Sequence, residues 1–314
     1  MRSLSKKPFQ GIVGHKRQIR ILEHSLLTRD FTHAYLFVGF SHLGKREIAE
    51  RFIGGVLGLK DKKELLVHPD FRILDQAKSI QISKIRELKR HFSLESYLGS
   101  YKICLIPEAE RMTREAANSL LKILEEPLGK SILILTANAA KNLLPTIVSR
   151  CQIFRFQQVS QQSIKNVLIK KGLASSQIET LVRLSDGRPG QAIKYSEQPL
   201  EFERVITLAK DLFRLRDEPF SSRFKFVQKN LKSSRFVEDV LNIWLKVYRD
   251  ILLLKSGCKG LTSGLILENE LLDLAQNYSL TDILSLIRLT RKIVADFRYN
   301  INKRLALEVL MIHI

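Results

Sequence analysis

In the first half of the chain, short apolar runs alternate with segments of helical spacing. The runs are Tyr35-Leu36-Phe37-Val38, Phe71-Arg72-Ile73-Leu74, Ile103-Cys104-Leu105-Ile106, Ile132-Leu133-Ile134-Leu135 and Ile153-Phe154-Arg155-Phe156. Several are continuously apolar, the pattern of strands covered by helices on both faces. In the clearest helical segment, Ala117, Leu120, Leu121 and Leu124 fall at i, i+3, i+4 and i+7. Thr113 stands where an N-cap belongs and Pro127 ends the run. This alternation predicts an α/β fold with a parallel sheet over residues 1–157.

Beyond Phe156 the strand signal stops. Ser160 can cap a helix carrying Ile164, Val167 and Leu168, with Gly172 as its terminator. Ser176-Gln177-Ile178-Glu179 has the form of a capping box, and Gly187-Arg188-Pro189-Gly190 makes a turn into a helix from Gln191. A small helical domain is predicted over 158–207, and an all-helical domain over 208–314. In the latter, Val237, Val240, Leu241, Trp244, Leu245, Tyr248, Ile251 and Leu252 form one wide apolar stripe. The last helix, around Leu305 to Ile314, is apolar enough to be buried at an interface.

Composition narrows the function classes only partly. The chain has 314 residues and is 45% hydrophobic, enough for a real core. No apolar run approaches the roughly 18 residues of a membrane span. The start, Met1-Arg2-Ser3-Leu4-Ser5-Lys6-Lys7-Pro8, has no apolar stretch of signal-peptide length, so a cytoplasmic setting with no membrane contact is expected. A formal charge of +20 attracts polyanions, and a solubilising basic surface explains it as well. Cys104, Cys151 and Cys258 are too far apart for a disulfide framework or zinc knuckle.

The candidate chemistry begins at Gly39-Phe40-Ser41-His42-Leu43-Gly44-Lys45, a G-x-x-x-x-G-K pattern between a predicted strand and helix. Its glycines let backbone N–H groups wrap a phosphate, and Lys45 reaches the terminal phosphates. The next position calls for a magnesium-ligating hydroxyl but holds Arg46, whose guanidinium has no acceptor and whose charge would repel the ion. In Ile103-Cys104-Leu105-Ile106-Pro107-Glu108-Ala109-Glu110, the metal-binding Asp position is Pro107, while Glu108 remains. Together these changes remove both protein contacts to magnesium. His68-Pro69-Asp70 reads as a turn before a strand.

These residues are similar to the AAA+ clamp-loader subunits. Phe9-Gln10-Gly11-Ile12-Val13-Gly14-His15 resembles the segment that opens the family's adenine pocket. His68-Pro69-Asp70, the stretch Thr113 to Pro127, and Leu143 to Cys151 resemble its other signatures. Fainter likeness continues through Ser185 to Gly190, Trp244 with Arg249-Asp250, and Asn300 to Glu308. The resemblance implies a RecA-like AAA+ core, a helical lid and a helical collar. It implies a five-subunit ring with gamma/tau ATPase subunits and a delta subunit, which loads a sliding clamp onto primer-template DNA during bacterial replication.

It also assigns roles. Ile12, Val13 and Gly14 would line an adenine pocket, and Gly39, Gly44 and Lys45 would form a degenerate phosphate loop. Arg150, in Ser149-Arg150-Cys151, would project into a neighbour's ATP site as an arginine finger. Read without the family, Arg150 caps a helix C-terminus or pairs with a surface carboxylate. Thr136 and Asn138, after the fourth strand, occupy the place of a polar γ-phosphate sensor. Gly190 takes the position of a second-sensor arginine, with Arg188 two residues earlier. The family's cysteine-bound zinc module has no counterpart in Gly54 to Val67, so no zinc is expected. Lys84, Arg86, Lys89 and Arg90 lie where the family approaches DNA, or on a solvated helix face.

The reading that results is a clamp-loader subunit without intrinsic ATPase activity, requiring no cofactor and keeping a loop suited to weak ATP or ADP binding. A catalytically active clamp-loader-type ATPase with unusual metal ligation is the alternative, and a basic DNA-binding scaffold is a further one.

Overall fold

The structure is a computed structural model that describes residues 8–59, 61–75, 79–97, 101–230, 234–263, 268–296 and 301–314. Met1–Lys7, Lys60 and Asn300, which figure in the sequence readings above, lie outside the described residues. Internal contacts divide the chain into two units, one of residues 1–167 with 187–191, the other of residues 168–186 with 192–314.

The first unit is built in the order α1 (Lys16–Thr28), β1 (Ala34–Val38), α2 (Lys45–Leu57), α3 (Lys62–Val67), β2 (Phe71–Ile73), α4 (Ile82–Ser93), β3 (Lys102–Ile106), α5 (Arg114–Glu125), β4 (Ser131–Ala137), α6 (Pro145–Val148), β5 (Gln152–Arg155) and the start of α7 (Gln161–Lys170). All five strands are parallel, in the order β2-β3-β4-β1-β5. Strand alternation sends Tyr35, Phe37, Ile103, Leu105, Ile132, Ile134 and Phe154 into one core beneath α1 and α2. It sends Ala34, Leu36, Cys104, Ile106, Leu133 and Leu135 into a second core beneath α4, α5 and α6. Both faces are thus dry, which is why the strands read as continuous apolar runs.

The caps expected at Thr113 and Ser160 form. Thr113 Oγ1 accepts from Ala116 N–H at 3.2 Å, and Ser160 Oγ from Ser163 N–H at 3.4 Å. The His68-Pro69-Asp70 turn also forms, with His68 Nδ1 accepting from Asp70 N–H at 3.2 Å. Asp70 is fully buried and accepts from Tyr97 N–H at 3.0 Å and Lys102 Nζ at 3.2 Å. Burial alone would raise its pKa. Those donors outweigh burial and hold it below the usual carboxylate range.

The second unit continues with the end of α7, α8 (Ser175–Ser185), most of α9 (Pro189–Glu197), α10 (Pro199–Asp217), α11 (Phe220–Asn230), α12 (Ser234–Lys255), α13 (Glu268–Asn277), α14 (Leu280–Asp296) and α15 (Lys303–His313). Helix α10 is continuous through residue 207. The expected capping box at Ser176 does not form. The extended Ala174 is the N-cap, and Ile178 N–H already reaches its carbonyl at 3.0 Å, so Ser175 and Ser176 are absorbed into the first turn. Val237, Val240, Leu241, Trp244, Tyr248 and Ile251 of α12 are buried, and Trp244 Nε1 donates to Leu208 O at 2.8 Å. Asp250 accepts from Ser263 N–H through both oxygens at 3.0 Å. Trp244 and Asp250 are thus both buried and hydrogen-bonded within this unit. No helix among the described residues is long and apolar enough to cross a membrane.

Candidate functional site

The loop after β1 runs from Gly39 to Gly44 and leads directly into the first turn of α2. Gly39 N–H donates to Ala137 O at 3.1 Å, tying the loop to the end of β4. A Cβ at Gly39 would lie 2.4 Å from Phe156 O, so only glycine passes there. Gly44 is the N-cap of α2 with φ 89°, again a glycine conformation. Lys45, the first residue of α2, is buried, and its Nζ donates to Gly39 O and, at 2.7 Å, to Phe40 O. Burial lowers its pKa to about 8, with the Glu110 and then the Glu108 carboxylate acting in the opposite direction. The ammonium is thus spent on loop carbonyls, and a phosphate entering the loop must compete for it.

The residues at the metal positions do not fit magnesium. Pro107 offers no side-chain oxygen and Arg46 offers only donors. Arg46 is not the bare charge that would repel the ion, however. Its Nε lies 2.8 Å from Glu50 Oε1 and its Nη1 2.6 Å from Asp75 Oδ2, so two carboxylates offset its charge. What is lost at position 46 is the hydroxyl ligand. Glu108 takes a left-handed turn with φ 48°, donates its N–H to Thr136 Oγ1 at 3.1 Å, and pairs with Arg111 at 2.6 Å. Thr136 lies within β4, not after it, because the β4–β1 ladder runs on through Phe37↔Thr136 to Val38↔Ala137.

Sequence reasoning did not assign three further polar groups at this site. Glu110 Oε1 accepts from Asn138 N–H at 3.0 Å, and Asn138 Oδ1 accepts from Ser41 Oγ at 3.0 Å. The loop, the acidic segment and the residue after β4 are therefore laced together. His15 joins the Ile12-Val13-Gly14 segment to the loop through an Nε2 contact of 2.9 Å with Leu43 O, which the Nε2–H tautomer donates. Burial lowers the His15 pKa, the Leu43 bond opposes this, and the Lys45 charge adds to it. The only sequence signal for this tether was the position of His15 beside Gly14. Ile12 packs against the α1/α2 core, and a Cβ at Gly14 would meet Val159 Cγ2 at 2.7 Å. Gly190 N–H donates to His42 O at 2.9 Å, and a Cβ there would lie 2.8 Å from the same oxygen. An arginine at position 190 would require that contact to move.

Arg150 is at the other end of the strands. Pairing Tyr35↔Gln152 to Val38↔Arg155 runs β5 parallel to β1. The phosphate loop follows β1, whereas Arg150 precedes β5. At about 3.3 Å per residue, at least ~15 Å of strand separates the two ends. The guanidinium nevertheless has partners of its own. Nη2 lies 2.7 Å from Glu125 Oε1, and Nη1 donates to Thr146 O at 3.0 Å, with the side chain 36% exposed. A helix-capping, carboxylate-paired arginine would have these same contacts, so it is the strand register that adds information. Cys151 beside it is half-buried, which pushes its thiol up to about 12. On α4, Lys84 pairs with Glu87 at 2.8 Å, and Arg86, Lys89 and Arg90 are exposed.

Residues 14–160 match the family described as DNA polymerase III, delta subunit. The delta-prime subunit of DNA polymerase III from Bacillus subtilis strain 168 is 28% identical over 258 residues, which cover 77% of this chain and 78% of that protein. The delta-prime subunit from Pseudomonas aeruginosa is 33% identical over 178 residues, covering 52% of this chain and 50% of that one. The tau subunit from B. subtilis strain 168 is 22% identical along 98% of this chain, which spans 61% of its length. Among solved structures, a DNA polymerase III gamma-subunit-related protein from Thermotoga maritima superposes with a TM-score of 0.53 at 18% identity. It covers 93% of this chain and 98% of its own, and the likeness is one of fold.

Proposed function

We infer that this chain, a clamp-loader subunit close to the delta-prime subunits of bacterial DNA polymerase III, does not turn over ATP at its own phosphate loop and acts on a neighbour's nucleotide through Arg150. Its partners are other clamp-loader subunits. In this reading they are gamma/tau and delta subunits in a cytoplasmic five-membered ring that places a sliding clamp on primer-template DNA.

One observation carries the reading. Arg150 is held by Glu125 and Thr146 and partly exposed at the end of the strands opposite the phosphate loop, beyond the reach of its own side chain to that loop. A guanidinium held there can stabilise developing phosphoryl charge only on a nucleotide outside this chain. The lack of magnesium ligands at Arg46 and Pro107 supports the other half of the reading.

A specific observation favours the alternative of an active ATPase with unusual metal ligation. Glu110 Oε2 is buried without a hydrogen-bond partner among the described residues, and its carboxylate acts on Lys45. The isolated chain given magnesium and ATP separates the two readings. No turnover is expected, whereas turnover abolished by Lys45→Ala would establish the alternative. Mixing the chain with the ATPase subunit and delta should give a stoichiometric complex.

A further inference from the structure

We propose that Glu125 is a positioning residue for Arg150, holding the guanidinium at the angle from which it meets a neighbour's phosphates; this rests on the trans reading of Arg150. Glu125 is the final residue of α5, where the helix dipole disfavours a carboxylate. Nothing in helix stability asks for an acid there, and a residue that breaks a local rule points to a role outside the helix. Its Oε1 lies 2.7 Å from Arg150 Nη2, with the two side chains 48% and 36% exposed. An ion pair so exposed contributes little to stability, so its consequence is geometric.

The remaining contacts of Arg150 fit that role. Nη1 faces Thr146 O at 3.0 Å and Ser149 Oγ at 3.4 Å. With Glu125 on Nη2, three of the five guanidinium N–H groups are held by this chain, leaving two to meet an anion. Thr146 and Ser149 fix the group from α6 and its C-cap, and Glu125 fixes it from the end of α5. Two elements thus bias the plane of the guanidinium before any nucleotide is present, which reduces the rotamer freedom the side chain would otherwise lose at the moment of contact.

The test uses the full loader reconstituted with wild-type, Glu125→Gln, Glu125→Ala, Arg150→Ala and Glu125→Gln/Arg150→Ala chains. Wild type minus Arg150→Ala defines the Arg150-dependent part of kcat for stimulated ATP hydrolysis. Both Glu125 variants should assemble stoichiometrically and lower that part about two- to fivefold, the range an exposed ion pair can supply, with KM for ATP unchanged. The double variant should be no slower than Arg150→Ala. Wild-type kcat in the Glu125 variants beside an impaired Arg150→Ala, or losses that multiply in the double variant, would overturn the positioning role and leave the trans reading standing. An unimpaired Arg150→Ala would remove the trans reading beneath it.

Discussion

Arg46 Nη1 lies 2.6 Å from Asp75 Oδ2, bridging the first turn of α2 to the segment after β2. The side chain that replaces a metal-ligating hydroxyl is therefore built into the fold. Arg46→Thr restores the hydroxyl but leaves Pro107 without an oxygen ligand. The isolated variant should show no ATP turnover with magnesium. Its stability in denaturant titration should fall by about 1–3 kcal/mol, because the Asp75 pair is exposed but the buried Glu50 carboxylate loses one of its cationic partners and keeps only Lys62. Turnover from this single change would show that position 107 does not limit metal binding.

Lys45 makes any phosphate binding at the loop depend on pH. With its pKa lowered to about 8, the ammonium is present below that value and lost above it. A phosphate group needs the charged form, so affinity for fully ionised ATP should hold up to about pH 8. Above pH 8 it should fall, by at most about tenfold per pH unit. Calorimetric titration from pH 6.5 to 9.5 measures this. A flat profile would mean that Lys45 does not contact the anion, and Lys45→Met should abolish the slope.

Helix α15 presents Leu305, Val309 and Ile312 to solvent, 58%, 43% and 53% exposed, while Leu307, Leu310 and Met311 are buried. The exposed three fall at i, i+4 and i+7, a stripe fit to meet another helix. Leu305→Glu combined with Ile312→Glu should change unfolding free energy by only about 0.5 kcal/mol per site, the usual surface effect. Co-purification with the ATPase subunits should be lost. Intact assembly would place the interface elsewhere.

Much of the core was legible because its strands are covered on both faces. The runs at Tyr35, Phe71, Ile103, Ile132 and Ile153 all became strands, and Thr113 and Ser160 became caps. What the pattern could not show were contacts between residues distant in sequence. Glu125 and Arg150, His15 and Leu43, and Ser41 and Asn138 share no periodicity, so their pairings appear only once the sheet brings their loops together. The Arg46–Glu50 pair at i+4 was within reach of helical spacing, but the Asp75 contact that completes it was not. Thr136 was misplaced for a related reason: its ladder partner Phe37, nearly a hundred residues away, decides where β4 ends.

On the proposed function, the chemistry lies in Arg150, at a neighbour's nucleotide, and not in Lys45 at the chain's own loop. Steady-state ATP hydrolysis by the reconstituted loader, with clamp and primer-template DNA present, tests it most directly. Arg150→Ala should assemble normally and lose a large part of the stimulated rate, at least about tenfold at the site it serves. Lys45→Ala should leave that rate unchanged. Wild-type hydrolysis with Arg150→Ala, or a collapse with Lys45→Ala, would contradict the account.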